Sequence, residues 1–270
     1  MRWARVELDG EALFAMVNGE WLCPITGTPF GQWKLRDGPA VPLSNAKLLI
    51  PFKPRTFYGC GLNYGHHVRA VAAKLGREAV LPTRAEVGYR THGGLVPTGA
   101  DILIPSMASE QIQYEGELVV VIGKQAKHVS EEEALSCVFG YTIGNDVTDR
   151  GWQKIDRILW RSKNADTFSP MGPWIETDVR LETLKTRVLV NGIVENEFDT
   201  NNMLFGVAAF ISEISKYSTL QPRDMIWMGT DGGSINLKDG DIVEVEINQI
   251  GRLRNKVRGP AVVRAQEIPL

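Results

Sequence analysis

Strand-like runs dominate the pattern of apolar and polar positions along the chain, and helical spacing is confined to a few short stretches. From residue 1 to about 50, the runs RWARVEL and ALFAMVNGEW alternate with glycine and proline, which predicts a small β-rich unit. Pro51 and Pro54 mark a boundary, so the chain divides into a small N-terminal domain, 1–52, and a larger domain, 53–270. RTFYGCGLNYG then predicts a strand that ends in a glycine-rich loop, and the Ala-rich stretch from Val68 to about Tyr89, broken by Pro82, predicts a short helix within a lid-like excursion or an ordinary surface connection.

Further on, Ile112 to Gly123 is β-branched and apolar enough for one buried strand. Ser130 and Glu133 form a capping box that opens a helix over SEEEALSCVFG, and YTIGNDVT is a second apolar strand. Met203, Val207, Phe210, Ile211 and Ile214 share one helical face, and Pro222 follows that helix. Val243, Val245 and Ile247 alternate with Glu244 and Glu246 in a half-buried C-terminal hairpin. The fold class that follows is mostly β with flanking helices, α+β, built as a curled sheet or roll.

Composition narrows the function. At 270 residues and 43% hydrophobic content the chain can bury a sizeable core, which argues against disorder. The 30 basic and 32 acidic residues nearly cancel and form no basic stripe, so nucleic acid is a poor partner. No run reaches the ~20 apolar residues of a membrane helix, and the N-terminal apolar stretches are broken by Arg5, Glu7, Asp9 and Glu11, unlike a signal peptide. Cys23, Cys60 and Cys137 form no CxxC pair and read as packing residues in a reducing compartment, with the cytoplasm as the default address.

Candidate chemistry sits in the buried runs. Glu115 and Glu117 lie at i and i+2, so a strand would project both from one face of an otherwise apolar segment. Two carboxylates there repel unless they share a proton or a hard cation such as Mg²⁺ or Mn²⁺. Asp146, at the end of the next apolar strand, is the natural third ligand. A solvated strand face would also carry such a glutamate pair, and a turn or cap would also use Asp146.

These residues sit in motifs. YEGELVVVIGK, GYTIGNDVTDRGWQ, WRSKNADTFSPMGPWI and the C-terminal LKDGDIVEVEI run, in this order over roughly Arg55 to Val257, resemble the fumarylacetoacetate hydrolase superfamily. The resemblance implies that family's β-roll with a small N-terminal β-rich domain, a homodimer, and Glu115, Glu117 and Asp146 as ligands of Mg²⁺ or Mn²⁺. It further implies Lys163 as the active-site lysine, Arg150 and Gln153 beside the substrate, and GLNYGHHVRA as the family's loop carrying Tyr64 and the catalytic His67.

Gly229 and Thr230, in MGTDGGS, match a substrate-contacting loop. The sequence departs from the family where Gly151 replaces an acid, where Asp231 interrupts that loop, and where Ala70 replaces the glutamate expected to pair with His67 to activate water. Glu78 and Glu86 are the candidate substitutes, and His66 reads as an ordinary loop residue. By resemblance the substrate is a small 2-oxo or 2,4-dioxo acid handled through a stabilised enolate. Hydrolysis of a C–C bond stands first as the commonest family activity, while Ala70 shifts weight toward isomerisation, tautomerisation or decarboxylation. A non-catalytic small-molecule-binding relative is the alternative from another class.

Overall fold

A computed structural model describes residues 1–74 and 76–261. The N-terminal strands Arg2–Leu8, Glu11–Asn18 and Trp21–Gly27 form an antiparallel meander, closed by the positive-φ turns that Gly10 and Gly19 permit. They enclose a small core of Ala4, Val6, Ala15, Val17 and Leu22. Their sheet does not stop there, because Arg2 and Trp3 pair with Glu176 and Ile175 of the Ser169–Glu176 strand.

From that junction the sheet continues through Val138–Asn145, Gly116–Ile122, Met225–Trp227 and Phe57–Cys60, ending on Val87–Tyr89. A second sheet of five strands runs in the order Asp101–Pro105, Gly251–Ala261, Ile242–Ile247, Lys185–Val190 and Ile193–Asp199. The main core lies between the two. Leu118, Val120 and Ile122 meet Val188, Val243, Val245 and Leu253, together with Phe210 and Ile211 of helix α5, Val207–Tyr217. Val119 and Val121, at the intervening positions, face a separate cluster with Met171, Met225 and Trp227.

Several local expectations change. The run from Ile112 is two strands, Ile112–Gln113 and Gly116–Ile122, with Tyr114 and Glu115 between them. The capping box forms, with Ser130 Oγ accepting from the Glu133 N–H at 3.3 Å and the Glu133 carboxylate accepting from the Ser130 N–H at 3.0 Å. The helix it opens, α2, covers only Glu131–Ala134, followed by a 3₁₀ turn at Leu135–Cys137. Val138 and Phe139 belong instead to the next strand, where ladder pairing across from Ile122 outweighs helix continuation. Met203 precedes α5 rather than lying on it.

The excursion after the glycine-rich loop begins with α1, Gly65–Lys74, and its far end, Val87–Tyr89, pairs with Phe57–Cys60. It is therefore tied into the sheet at its exit. Among the described residues, no helix is long and apolar enough to cross a membrane.

Candidate metal centre

The acid cluster is a product of sheet register. Gly116 pairs with Asn145 and Glu117 with Gly144, and the same ladder carried one residue further sets Asp146 against Glu115, whose carbonyl accepts from the Asp146 N–H at 2.9 Å. The Asn145 side chain accepts from the Glu115 N–H at 3.1 Å, which holds the chain at the break between the two strands.

Gly116 allows the second sheet to close against the backbone between the two glutamates. A Cβ there would lie 2.7 Å from Val188 and 2.9 Å from Val245. Three carboxylates result, buried, with one oxygen from each lying within 4.8 Å of the others.

Cations meet them from three directions. Lys163 Nζ, on the short helix α4, Trp160–Asn164, donates to Glu115 Oε2 at 2.7 Å and to Asp146 Oδ2 at 2.5 Å. Asp156 fixes that helix by accepting from the Arg161 and Ser162 N–H groups. Arg150 Nη2 lies 2.7 Å from Glu115 Oε1, while its Nε and Nη1 donate to Gln113 and Gln153. Arg90, buried and reaching in from the end of the Val87–Tyr89 strand, places Nη2 3.5 Å from Asp146 Oδ2.

The electrostatics differ from one acid to the next. Burial alone would raise the Glu115 carboxyl, but Lys163 and Arg150 outweigh it and hold the group well below the usual carboxylate range. Glu117 is pushed well above that range, first by burial and then by the Asp146 and Glu115 charges. Burial opposes the Lys163 charge, yet Asp146 and Glu115 keep its ammonium more basic than an ordinary lysine.

A divalent cation fits this site. The three side chains present oxygen donors, which hard cations prefer, and Asp146 Oδ1 is buried without a hydrogen-bond partner. Glu117 has a charge it cannot comfortably carry unless something positive joins it.

The remaining expected residues sit around this centre in different ways. Gly229, at φ 82°, donates its N–H to Glu117 Oε2 at 2.8 Å, and Thr230 follows it. Gln153 ends α3, Arg150–Gln153, a turn capped by Asp149, which accepts from the Trp152 N–H. Gly151 has a local reason, since a Cβ there would lie 2.5 Å from Ser109 Cβ.

Tyr64 makes its contacts within the fold. It is buried, its hydroxyl donates to the Thr200 carbonyl at 2.7 Å, and its ring packs edge-on against Phe198. Its hydroxyl is thus engaged by backbone in this structure. His67, in the first turn of α1, has Nδ1 3.1 Å from the Gly232 carbonyl. Among the described residues neither candidate substitute for the lost glutamate is hydrogen-bonded to it: Glu78 is exposed and Glu86 is paired with Arg84.

Arg90, Gln113 and Asp149 escaped the sequence reading. Gln113 and Asp149 lie inside segments singled out there, without a role, and Arg90 falls just past the expected lid. In the structure its guanidinium lies against Gly59, where a Cβ would come within 3.2 Å of it.

Comparison with known proteins agrees with this geometry. Residues 56–258 match the family described as "Fumarylacetoacetate (FAA) hydrolase C-terminal", and residues 1–51 match "Rv2993c-like, N-terminal". The crystal structure of 2-hydroxyhepta-2,4-diene-1,7-dioate isomerase from Mycobacterium marinum superposes with a TM-score of 0.85 at 35% identity, covering 96% of this chain and 98% of that one. Oxaloacetate tautomerase YisK of Bacillus subtilis is 35% identical over 233 residues, 80% of this chain and 74% of the relative. Maleylpyruvate hydrolase from Sphingobium sp. SYK-6, solved in complex with manganese (II) ion and pyruvate, has a TM-score of 0.77 at 25% identity, covering 96% of this chain and 99% of that one. With the matched segment covering most of the chain, including the acid cluster, the lysine and the second sheet almost entirely, the chain belongs to the fumarylacetoacetate hydrolase family.

Proposed function

We propose that the protein is a divalent-metal-dependent enzyme that enolises a small 2-oxo dicarboxylic acid, acting as an isomerase or tautomerase. The observation that carries this reading is the charge count of the buried centre. Three carboxylates, Glu115, Glu117 and Asp146, face three cations, Lys163, Arg150 and Arg90. They cancel, so one Mg²⁺ or Mn²⁺ would leave an excess of two positive charges, which a dianion matches.

The metal, held by Glu115, Glu117 and Asp146, would supply Lewis acidity that polarises a 2-oxo group and offsets enolate charge. The chain's own residues do the rest. Arg150 is already oriented by Gln113 and Gln153, so its planar fork meets a carboxylate with little further ordering. Lys163 keeps its positive charge in the buried centre and favours the substrate's developing negative oxygen. His67 moves the proton, taking it from the carbon beside the 2-oxo group and returning it at the other end of the enolate.

Hydrolysis, first on family grounds, is the weaker reading here. It needs a base that activates water, and His67 has a backbone carbonyl at Nδ1 where a carboxylate at position 70 was expected. Keto–enol exchange asks less, because the substrate proton is itself acidified by the adjacent carbonyl.

The relatives support the class: a tautomerase and an isomerase stand beside the hydrolase among them. The test is a panel of oxaloacetate, hydroxymuconate-type acids and acylpyruvates, assayed with Mg²⁺, Mn²⁺ or EDTA. Cation-dependent tautomerisation or isomerisation that exceeds acylpyruvate cleavage is expected. Faster acylpyruvate cleavage restores the hydrolase, and tight binding of these acids without turnover makes the protein a binder.

A further inference from the structure

The loop MGTDGGS carries an aspartate that the functional reading leaves without a task. Asp231 is only 7% exposed. Its Oδ1 accepts from the Gly232 N–H at 2.7 Å and lies 3.3 Å from His66 Nδ1, while its carbonyl accepts from the Asn196 side chain at 2.7 Å. Gly232 adopts φ 75° against that same Asn196 side chain, where a Cβ would clash. The turn at 231–232 is therefore held from three sides.

Its consequence falls on His67. A backbone carbonyl can only accept, so the 3.1 Å contact between His67 Nδ1 and the Gly232 oxygen requires the proton on Nδ1. The other ring nitrogen, Nε2, is then the one with a free lone pair. The same loop is anchored at its start by the Gly229 N–H on Glu117. The base and the acid cluster are thus registered to one another through four consecutive residues, 229–232.

We propose that Asp231 is a positioning residue: it builds the turn whose Gly232 carbonyl fixes the His67 proton on Nδ1 and leaves Nε2 free as the base. It takes over in this chain a task that Ala70 cannot perform. The role of Nε2 as base rests on the functional reading above, whereas the fixed tautomer does not.

The experiment uses ¹⁵N-histidine NMR on the whole protein, which has four histidines, with His67→Gln to assign the signal. The wild type is expected to show His67 protonated at Nδ1 and unprotonated at Nε2. Asp231→Ala should release His67 into a mixture of tautomers and lower kcat about tenfold or more with KM nearly unchanged. Asp231→Asn keeps an acceptor for the Gly232 N–H, so it should retain the tautomer and most of the activity.

His66→Ala should leave the His67 signal as it is, and it keeps the test open should Asp231→Ala not fold. An unchanged His67 tautomer in Asp231→Ala, an Asp231→Asn variant as defective as the alanine, or a changed tautomer in His66→Ala would each overturn the proposal. A wild type inert toward every acid tested, but with a tautomer that Asp231→Ala releases, supports the positioning role and sinks the enolising function alone.

Discussion

Replacing Glu117 by glutamine should have opposite consequences in the metal-free and the metal-loaded protein. At the outer limit of 4.8 Å between ligand oxygens, two unit charges in a medium of effective dielectric about 20 repel by about 3 kcal/mol. Glu117 faces two such neighbours, and in the metal-free protein burial and those two charges push its carboxyl upward, toward the protonated form. Glutamine is that protonated state made permanent, and its amide oxygen can still accept from the Gly229 N–H.

In EDTA, then, Glu117→Gln should be no less stable than the wild type, within about 1 kcal/mol, or about 2 °C in Tm for a chain of this size. With metal at about a hundred times its Kd, the wild type should gain about 2.7 kcal/mol, or about 5 °C. The variant, lacking one anionic ligand, should gain less than about 2 °C at the same concentration. Thermal unfolding near neutral pH, with EDTA, Mg²⁺ and Mn²⁺ in parallel, measures both. A variant several degrees less stable in EDTA, or one that gains as much from metal as the wild type, would show that Glu117 is not under this repulsion and that the ion-sharing argument fails.

Other expectations follow from the same geometry. Lys163→Met leaves Glu115 and Asp146 without their shared donor, so the metal-free protein should lose about 3–5 kcal/mol in urea unfolding, with partial recovery on adding Mg²⁺; no loss would mean the ammonium is not neutralising the pair. Gly151→Ala should destabilise by about 1–3 kcal/mol through overpacking against Ser109, and Ser109→Gly should restore it, whereas additive losses would place the strain elsewhere. Burial, then the Glu117 charge, raise the Cys60 thiol well above its ordinary range. At pH 8 it therefore stays protonated, and a thiol reagent should label half-buried Cys23 well before Cys60; equal rates in the folded protein would contradict that environment.

The sequence showed the acid cluster because it showed the sheet. Strand parity alone put Glu115 and Glu117 on one face, and Asp146 at the end of the next apolar strand comes to lie opposite Glu115. The break at Tyr114 and Glu115 was read through, since one glycine, Gly116, inside a β-branched run does not by itself end a strand, and the Asn145 side chain and the partner strand reveal it. SEEEALSCVFG read as helix throughout because its start signal is strong and its stop is set by pairing with a distant strand. Arg90 was hidden for a similar reason: nothing local says that an arginine at the exit of a supposed lid turns inward. Nor does the motif holding Tyr64 reveal that its hydroxyl serves the backbone at Thr200.

What joins these particulars is the way a greasy sheet makes charge consequential. Were Glu115, Glu117 and Asp146 exposed, water and salt would screen them, and Lys163, Arg150 and Arg90 could point anywhere at little cost. Buried as they are, each charge has to be answered by a named partner, so the cations become ordered and Glu117 has to take a proton or share a cation. The departures at Ala70 and Asp231 obey the same constraint. With no carboxylate at position 70, His67 has the Gly232 carbonyl at Nδ1, and the buried Asp231 carboxylate of the same turn is answered by the Gly232 N–H and by His66.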